Sequence, residues 1–229
     1  MSDVESLLSA APPVPSGTVI AVPVRKRPKP GERRVQILQA LAAMLEQPGA
    51  ERITTAALAA RLDVSEAALY RHFASKAQMF EGLIEFIEQT VFSLVNQIAD
   101  RESSSTLVDG AADAAAGTRQ AIKVVSMVMQ FAEKNPGMTR VMVGDALVFE
   151  NERLQQRMNQ FFDKIEATLK QSLRVTAELS ATPTPSVDTQ VRASVLTAFV
   201  VGRLQRFARS GFRRLPSEYL EASLALILE

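Results

Sequence analysis

Apolar residues recur at steps of three and four positions through most of the chain after about residue 32, which is the period of an amphipathic helix. The first such segment predicts a helix over about 32–47, which Pro48 and Gly49 end. A longer stripe predicts a helix that runs to about residue 100, where the polar stretch 103–106 is expected to break it. Its members are Phe80, Leu83, Ile84, Ile87, Val91, Leu94, Val95 and Ile98.

The same period continues towards the C-terminus. It predicts helices over about 119–134, 149–175, 187–211 and 217–228, with a strong stop at 135–137 and a loop that holds Pro183 and Pro185. Signals for β-strands are few, because the chain has two Tyr, no Trp and no clear alternation of apolar and polar positions. The pattern therefore predicts an all-α protein.

Two short helices with good capping residues lie between the first helix and the long one. Thr54 is a favourable N-cap for the first of them, Asp63 and Val64 form a tight turn, and Ser65 caps the second. Ser75 caps the long helix that follows. Two helices of about two turns each, joined by a short turn, are typical of a helix-turn-helix. A small helical bundle with a chance turn has the same periodicity, so periodicity alone leaves both readings open.

The second short helix presents a face suited to reading DNA. Ala67, Tyr70, Arg71 and Ala74 share this face when the large apolar residues pack inward. A small side chain such as that of Ala67 permits close approach to base edges and contact with a thymine methyl group. Arg71 would read a guanine or hold a phosphate.

Other polar side chains around this helix suit the DNA backbone. Tyr70, His72 and Lys76 offer hydrogen-bond donors to phosphate oxygens, and Thr54 and Thr55 begin a helix whose N–H groups favour an anion. A histidine such as His72, taken by itself, is more often an ordinary surface or core residue.

A basic, proline-containing segment precedes the first helix. Residues 25–34 hold six basic side chains and one acidic one, and six of the eleven prolines lie within about the first 30 residues. The composition predicts a disordered basic arm over 1–31. Such a run is commonly a solvated tail, but its position before a DNA-reading module favours an arm that lies along phosphates.

Composition excludes several classes of function. The chain has no Cys and a single His, so disulfides, thiolate metal sites and imidazole metal sites are not expected. It has no glycine-rich phosphate loop and no GxSxG motif, so we expect neither an enzyme nor a cofactor. No apolar run approaches the roughly 20 residues that span a bilayer, and no signal peptide is recognisable, so no membrane partner is expected. The net charge is only +1, so a DNA surface must come from local clustering.

The segment 54–73, which ends in Leu69-Tyr70-Arg71-His72-Phe73 and is followed by Ser75-Lys76, resembles the TetR family of dimeric regulators. The resemblance implies an N-terminal three-helix helix-turn-helix domain over 32–75 and a C-terminal helical dimerisation and partner-binding domain over 76–229. It also implies a homodimer on palindromic double-stranded DNA. By match of position, the residues expected to contact DNA are Thr54, Thr55, Ser65, Ala67, Tyr70, Arg71, His72 and Lys76.

Further segments resemble the members of this family that act in nucleoid occlusion, among them residues 83–88, 135–140, 146–150 and 153–155. That resemblance implies a cytoplasmic, nucleoid-associated protein that binds the tubulin-like FtsZ while bound to DNA and blocks its assembly, and so cell division, over the chromosome. Met79 and Phe86 lie off the main apolar stripe of the long helix and are predicted to line the partner-binding groove. An extra apolar flank of this kind usually packs on a neighbouring helix instead. A TetR-type repressor switched by a small ligand in the C-terminal domain is the alternative function.

The helices over 149–175 and 187–211 are the predicted dimer surface. Small residues at near-helical spacing would let a partner helix approach closely, and Val191, Val195 and Phe199 would supply buried apolar area. The small residues are Ala193, Ser194, Ala198 and Gly202. The same stripe would serve equally as an intramolecular core. The arginines that follow, at 203, 206, 209, 213 and 214, are interpreted as a solvated face.

Overall fold

A computed structural model describes residues 31–47, 53–109, 115–179 and 184–228. Side chains are described throughout these ranges except at 103–109, 175, 178 and 179. The predicted basic arm, apart from Gly31, and the stop at Pro48 and Gly49 lie outside the described residues.

The described residues form an all-α fold, which confirms the predicted class. No helix among them is long and apolar enough to cross a membrane. A short 3₁₀ turn, Asp145–Leu147, precedes α7. The α-helices in chain order are α1 Glu32–Leu45, α2 Thr55–Arg61, α3 Glu66–Tyr70, α4 Lys76–Asp109, α5 Ala116–Lys134, α6 Pro136–Met142, α7 Glu152–Leu179, α8 Pro185–Arg209 and α9 Leu220–Leu228.

Two predicted boundaries are wrong. Helix α4 continues through 103–106 to Asp109, because this stretch contains no Pro or Gly and serine and threonine disfavour a helix only weakly. Glu102, just before it, is buried and paired with Lys123 of α5, which holds this part of α4 in place. Pro185 does not lie in a loop but begins α8, where the absent N–H of a proline costs nothing.

The core of the C-terminal part lies between α4, α5, α7 and α8. Phe161 of α7 is at its centre, with its ring edge-on to Phe92 at 5.6 Å and to Phe162 at 5.1 Å. The apolar seam predicted for this helix is buried as expected, from Leu154 to Leu173. Side chains with no exposed area fill the space between α5, α7 and α8, namely Val124, Val128, Phe161, Ile165, Leu196 and Val200.

Helix α1 joins the N-terminal helices to the rest of the protein, because it packs on both α4 and α6. Two glycines allow the close approach. A Cβ atom at Gly137 of α6 would lie 1.9 Å from the carbonyl oxygen of Ala42 in α1. A Cβ atom at Gly82 of α4 would meet only side chains, the nearest being Phe73 at 3.1 Å and Leu38 at 3.4 Å.

We expect Gly137→Ala to lower the free energy of unfolding by about 3 kcal/mol, at the upper end of the cost of overpacking, because backbone must move to admit the methyl group. Gly82→Ala is the matched control, since it adds the same methyl group to a buried helical glycine that faces side chains able to shift. Chemical denaturation of the two variants checks this. Equal losses of stability in both variants would contradict the close backbone contact between α1 and α6.

Candidate nucleic-acid interface

The two short helices α2 and α3 begin at the capping residues that the sequence predicts. The Thr54 Oγ1 accepts a hydrogen bond from the Ala57 backbone N–H at 3.1 Å, and the Ser65 Oγ accepts one from that of Ala68 at 3.3 Å. Asp63 lies in the turn between the helices with a φ of 53°, a conformation that aspartate tolerates better than most residues. The predicted helix-turn-helix is therefore present.

Large apolar side chains hold α3 at a fixed orientation. Leu58 of α2, Leu69 of α3 and Phe73 just after it are each 1% exposed, and Leu62 and Val64 of the turn are half-buried against them. Burial of residues on one side of such a short helix forces its remaining residues to face outward.

The outward face carries the residues predicted to contact bases. Ala67 and Arg71 are exposed, and Tyr70 is 45% exposed. The Arg71 side chain makes no hydrogen bond or ion pair with the described residues, so its guanidinium group is available to a ligand. His72 is also exposed, and its backbone N–H donates to the Leu69 carbonyl oxygen at 2.9 Å.

The predicted phosphate-contacting residues lie around this face. Three of them, Thr55, Tyr70 and Lys76, contact other polar side chains. Thr54 and Ser65 are exposed, whereas Thr55 is half-buried. The Thr55 hydroxyl donates to a Glu66 carboxylate oxygen at 2.5 Å, and the Tyr70 hydroxyl lies 3.5 Å from the same Thr55 oxygen. Glu66 thus orients two predicted DNA contacts through a hydrogen bond between α2 and α3, which the helical period of the sequence does not reveal.

Arg34 also has a place that the sequence did not indicate. It belongs to the basic run 25–34, which the sequence predicts to lie along phosphates. It lies instead in the first turn of α1, where its guanidinium group donates to the His72 carbonyl oxygen at 3.2 Å and stacks over the Phe73 ring at 4.3 Å. It therefore supports the end of α3.

Lys76, in the first turn of α4, forms an ion pair with Glu150 and is 29% exposed along its side chain. Its Nζ also lies 5.7 Å from the centre of the Phe80 ring. No sequence signal could have found this pair, since its members are separated by 74 residues. The predicted DNA contact therefore already holds a carboxylate from the segment before α7.

Of the two residues predicted to line a partner groove, one is buried and the other is exposed. Met79 is 1% exposed and belongs to the core, so a partner cannot reach it in this structure. The first part of α4 is buried on more than one side, since Phe80, Leu83 and Ile84 are buried together with Met79. Phe86 is 43% exposed and does not pack away on a neighbouring helix.

Two family descriptions match the chain. Residues 37–83 match the bacterial regulatory proteins of the tetR family, and residues 118–229 match the tetracyclin repressor-like C-terminal domain of the SlmA-like type. The fold is also similar to that of the transcriptional regulator FadR from Bacillus subtilis, solved in complex with stearoyl-CoA. The TM-score is 0.65 at 13% identity, over 85% of this chain and 97% of that one.

Relatives of high identity share one name. The nucleoid occlusion factor SlmA of Idiomarina loihiensis is 47% identical over 190 residues, which is 83% of this chain and 90% of that protein. The SlmA of Vibrio vulnificus strain YJ016 is 48% identical over 201 residues, or 87% of this chain and 95% of that protein. The chain therefore belongs to the SlmA family of nucleoid occlusion factors, within the TetR-like regulators.

Proposed function

We propose that this protein is a sequence-specific DNA-binding nucleoid occlusion factor. It binds palindromic chromosomal sites as a homodimer and, while bound, antagonises FtsZ assembly, so that division is blocked over the chromosome. It acts by binding, not as an enzyme, in the cytoplasm and on the nucleoid. The observation that carries the proposal is the exposed face of α3 in a chain that is 47% identical to a nucleoid occlusion factor over most of its length.

The side chains exposed on α3 and at the start of α2 are suited to the recognition of DNA. With α3 in the major groove, Ala67 approaches base edges and the free guanidinium group of Arg71 donates two parallel hydrogen bonds to a guanine. The Thr54 oxygen accepts from a backbone N–H, which leaves its own hydroxyl proton to donate to a phosphate. Phosphate contacts of this kind fix the register, and base contacts specify the sequence.

An exposed apolar strip on α8 and α9 is the surface through which we propose that two copies of the protein pair. Val187, Val191 and Val195 of α8 are 60%, 55% and 45% exposed, and Leu226 of α9 is 78% exposed. The small exposed residues Ala198 and Gly202 extend the strip along α8. Ala193, which the sequence predicts on the dimer surface, is fully buried within the protein, and the apolar seam of α7 is buried as well. We therefore assign the dimer surface to α8 and α9.

Phe86 is the anchor that we assign to the FtsZ-binding groove. It lies one turn after Gly82, where α4 contacts Leu38 of α1, and Val35 of the same helix is 48% exposed. Exposed apolar side chains on two helices that pack together suit a short apolar peptide. Helix α4 follows α3 directly in the chain, so on this assignment DNA and FtsZ would bind towards the same end of the molecule.

The alternative, a repressor switched by a small ligand in the C-terminal domain, has less support. The interior between α5, α7 and α8 is filled by fully buried side chains such as Val128, Phe161 and Val200. A ligand there would have to displace packed residues. The comparisons by sequence also favour the nucleoid occlusion factors.

Arg71→Ala should weaken binding to a selected palindrome by about 1–3 kcal/mol and relax specificity at one base pair of each half-site. Arg209→Ala removes an exposed arginine from the C-terminal part and is the control, with little expected change. Titration of labelled duplexes that carry each single-base change measures both effects. An equal loss of affinity on every sequence would make Arg71 a phosphate contact and would contradict its assignment to a base.

Val191→Glu should convert the dimer to a monomer, because it places a charge at the centre of the apolar strip on both copies. Gln171→Glu adds the same charge to an exposed position of α7 and should leave the dimer intact. Sedimentation equilibrium measures the mass, and the monomer should lose most of its affinity for the full palindrome. A dimeric Val191→Glu variant would show that this strip is not the interface.

Phe86→Ala should leave palindrome affinity unchanged but weaken FtsZ binding by about 2 kcal/mol, which is typical of a truncated aromatic anchor. Gln89→Ala alters an exposed residue of the same helix and is the control. Pelleting of FtsZ polymers with and without site DNA provides the measurement. If the Phe86 variant disrupts polymers as well as the unaltered protein does, FtsZ binds elsewhere.

A further inference from the structure

Ion pairs join α4 to α7 at several successive levels. They begin at Lys76, in the first turn of α4, which pairs with the segment just before α7, and they continue to Lys164, about halfway along α7. The pairs are Lys76 with Glu150, Arg153 with Glu81, Arg157 with Glu88 at 2.8 Å, and Lys164 with Glu88 at 3.7 Å. Helix α4 itself runs from the DNA-reading helices into the core. The first pair therefore connects the DNA side of α4 to the segment that precedes α7.

The pair of Lys76 with Glu150 differs from the others in its position. Lys76 lies six residues after the end of α3, on the side where phosphates are expected, whereas Glu150 is only 11% exposed. A lysine ammonium group is a compact charge with three donors. A carboxylate on one of these donors lowers the attraction that the ammonium group exerts on a phosphate, since the two anions compete for one cation.

We propose that Glu150 sets the DNA affinity of this protein by competing with a backbone phosphate for Lys76. The inference rests on the proposed DNA-binding function and adds to it a residue outside the helix-turn-helix. When a phosphate binds Lys76, the pair with Glu150 weakens, and the cost of weakening it is subtracted from the DNA affinity.

The competition also links DNA to the segment before α7. The Glu150 backbone N–H donates to the Leu147 carbonyl oxygen, and Val148 and Phe149 are 61% and 63% exposed, so the ion pair is one of the contacts that hold this surface segment in place. Loss of the pair on DNA binding should therefore loosen residues 148–151. Linkage is reciprocal, so a ligand that stabilises this segment against Lys76 would weaken DNA binding by the same factor.

A double-mutant cycle on the full-length chain tests the proposal. Glu150→Gln should raise affinity for the selected palindrome about two- to fivefold, the upper part of the range for surface ion pairs, because Glu150 is largely buried. Lys76→Gln should lower it and reduce the dependence of log K on log salt by about one unit. In the Lys76→Gln background, Glu150→Gln should raise affinity only as much as the removal of any other nearby negative charge does.

Glu81→Gln measures that background effect, since it removes the same charge from a neighbouring ion pair, between α4 and α7, that does not involve Lys76. The second measurement is amide hydrogen exchange of residues 148–151, which should be faster in the DNA complex than in the free protein. The proposal is overturned if Glu150→Gln and Glu81→Gln change affinity equally, or if Glu150→Gln acts equally with and without Lys76. If the unaltered protein shows no preference for any palindrome, the proposed function itself fails, which is a different result.

Discussion

The burial of Leu58, Leu69 and Phe73 against one another is the interaction on which the rest of this structure depends. These three side chains fix α3 against α2, and α3 is too short to hold its conformation without such packing. Arg34 adds a contact from α1 to the end of the same helix. The face that carries Ala67, Tyr70 and Arg71 is thus presented by its surroundings and not by any rigidity of its own.

Helix α4 carries that fixed geometry into the C-terminal part. It starts a few residues after α3 and continues for 34 residues without interruption. One side of it faces the core, one side contacts α1, and a third is tied to α7 by ion pairs. A single helix therefore connects the surface assigned to DNA, the exposed Phe86 and the core, so that binding at one of these places has a physical route to the others.

The local features of the DNA-reading helices could be predicted from sequence because their causes are local. Thr54 and Ser65 cap the helices that follow them, and the apolar seam of α7 is buried as its period indicates. The errors arose where distant contacts decide. Whether Met79 faces a groove or the core depends on the packing around the start of α4, and no periodicity reveals that Lys76 meets Glu150.

The central claim is that α3 of two copies reads two half-sites of a palindrome. Selection of binding sites from random duplexes at low ionic strength tests it most directly. The account predicts enrichment of an inverted repeat whose half-sites are centred about one helical turn apart, roughly 10 base pairs or a multiple of that spacing. Recovery of unenriched sequence, or of a single half-site without its inverted copy, would contradict it.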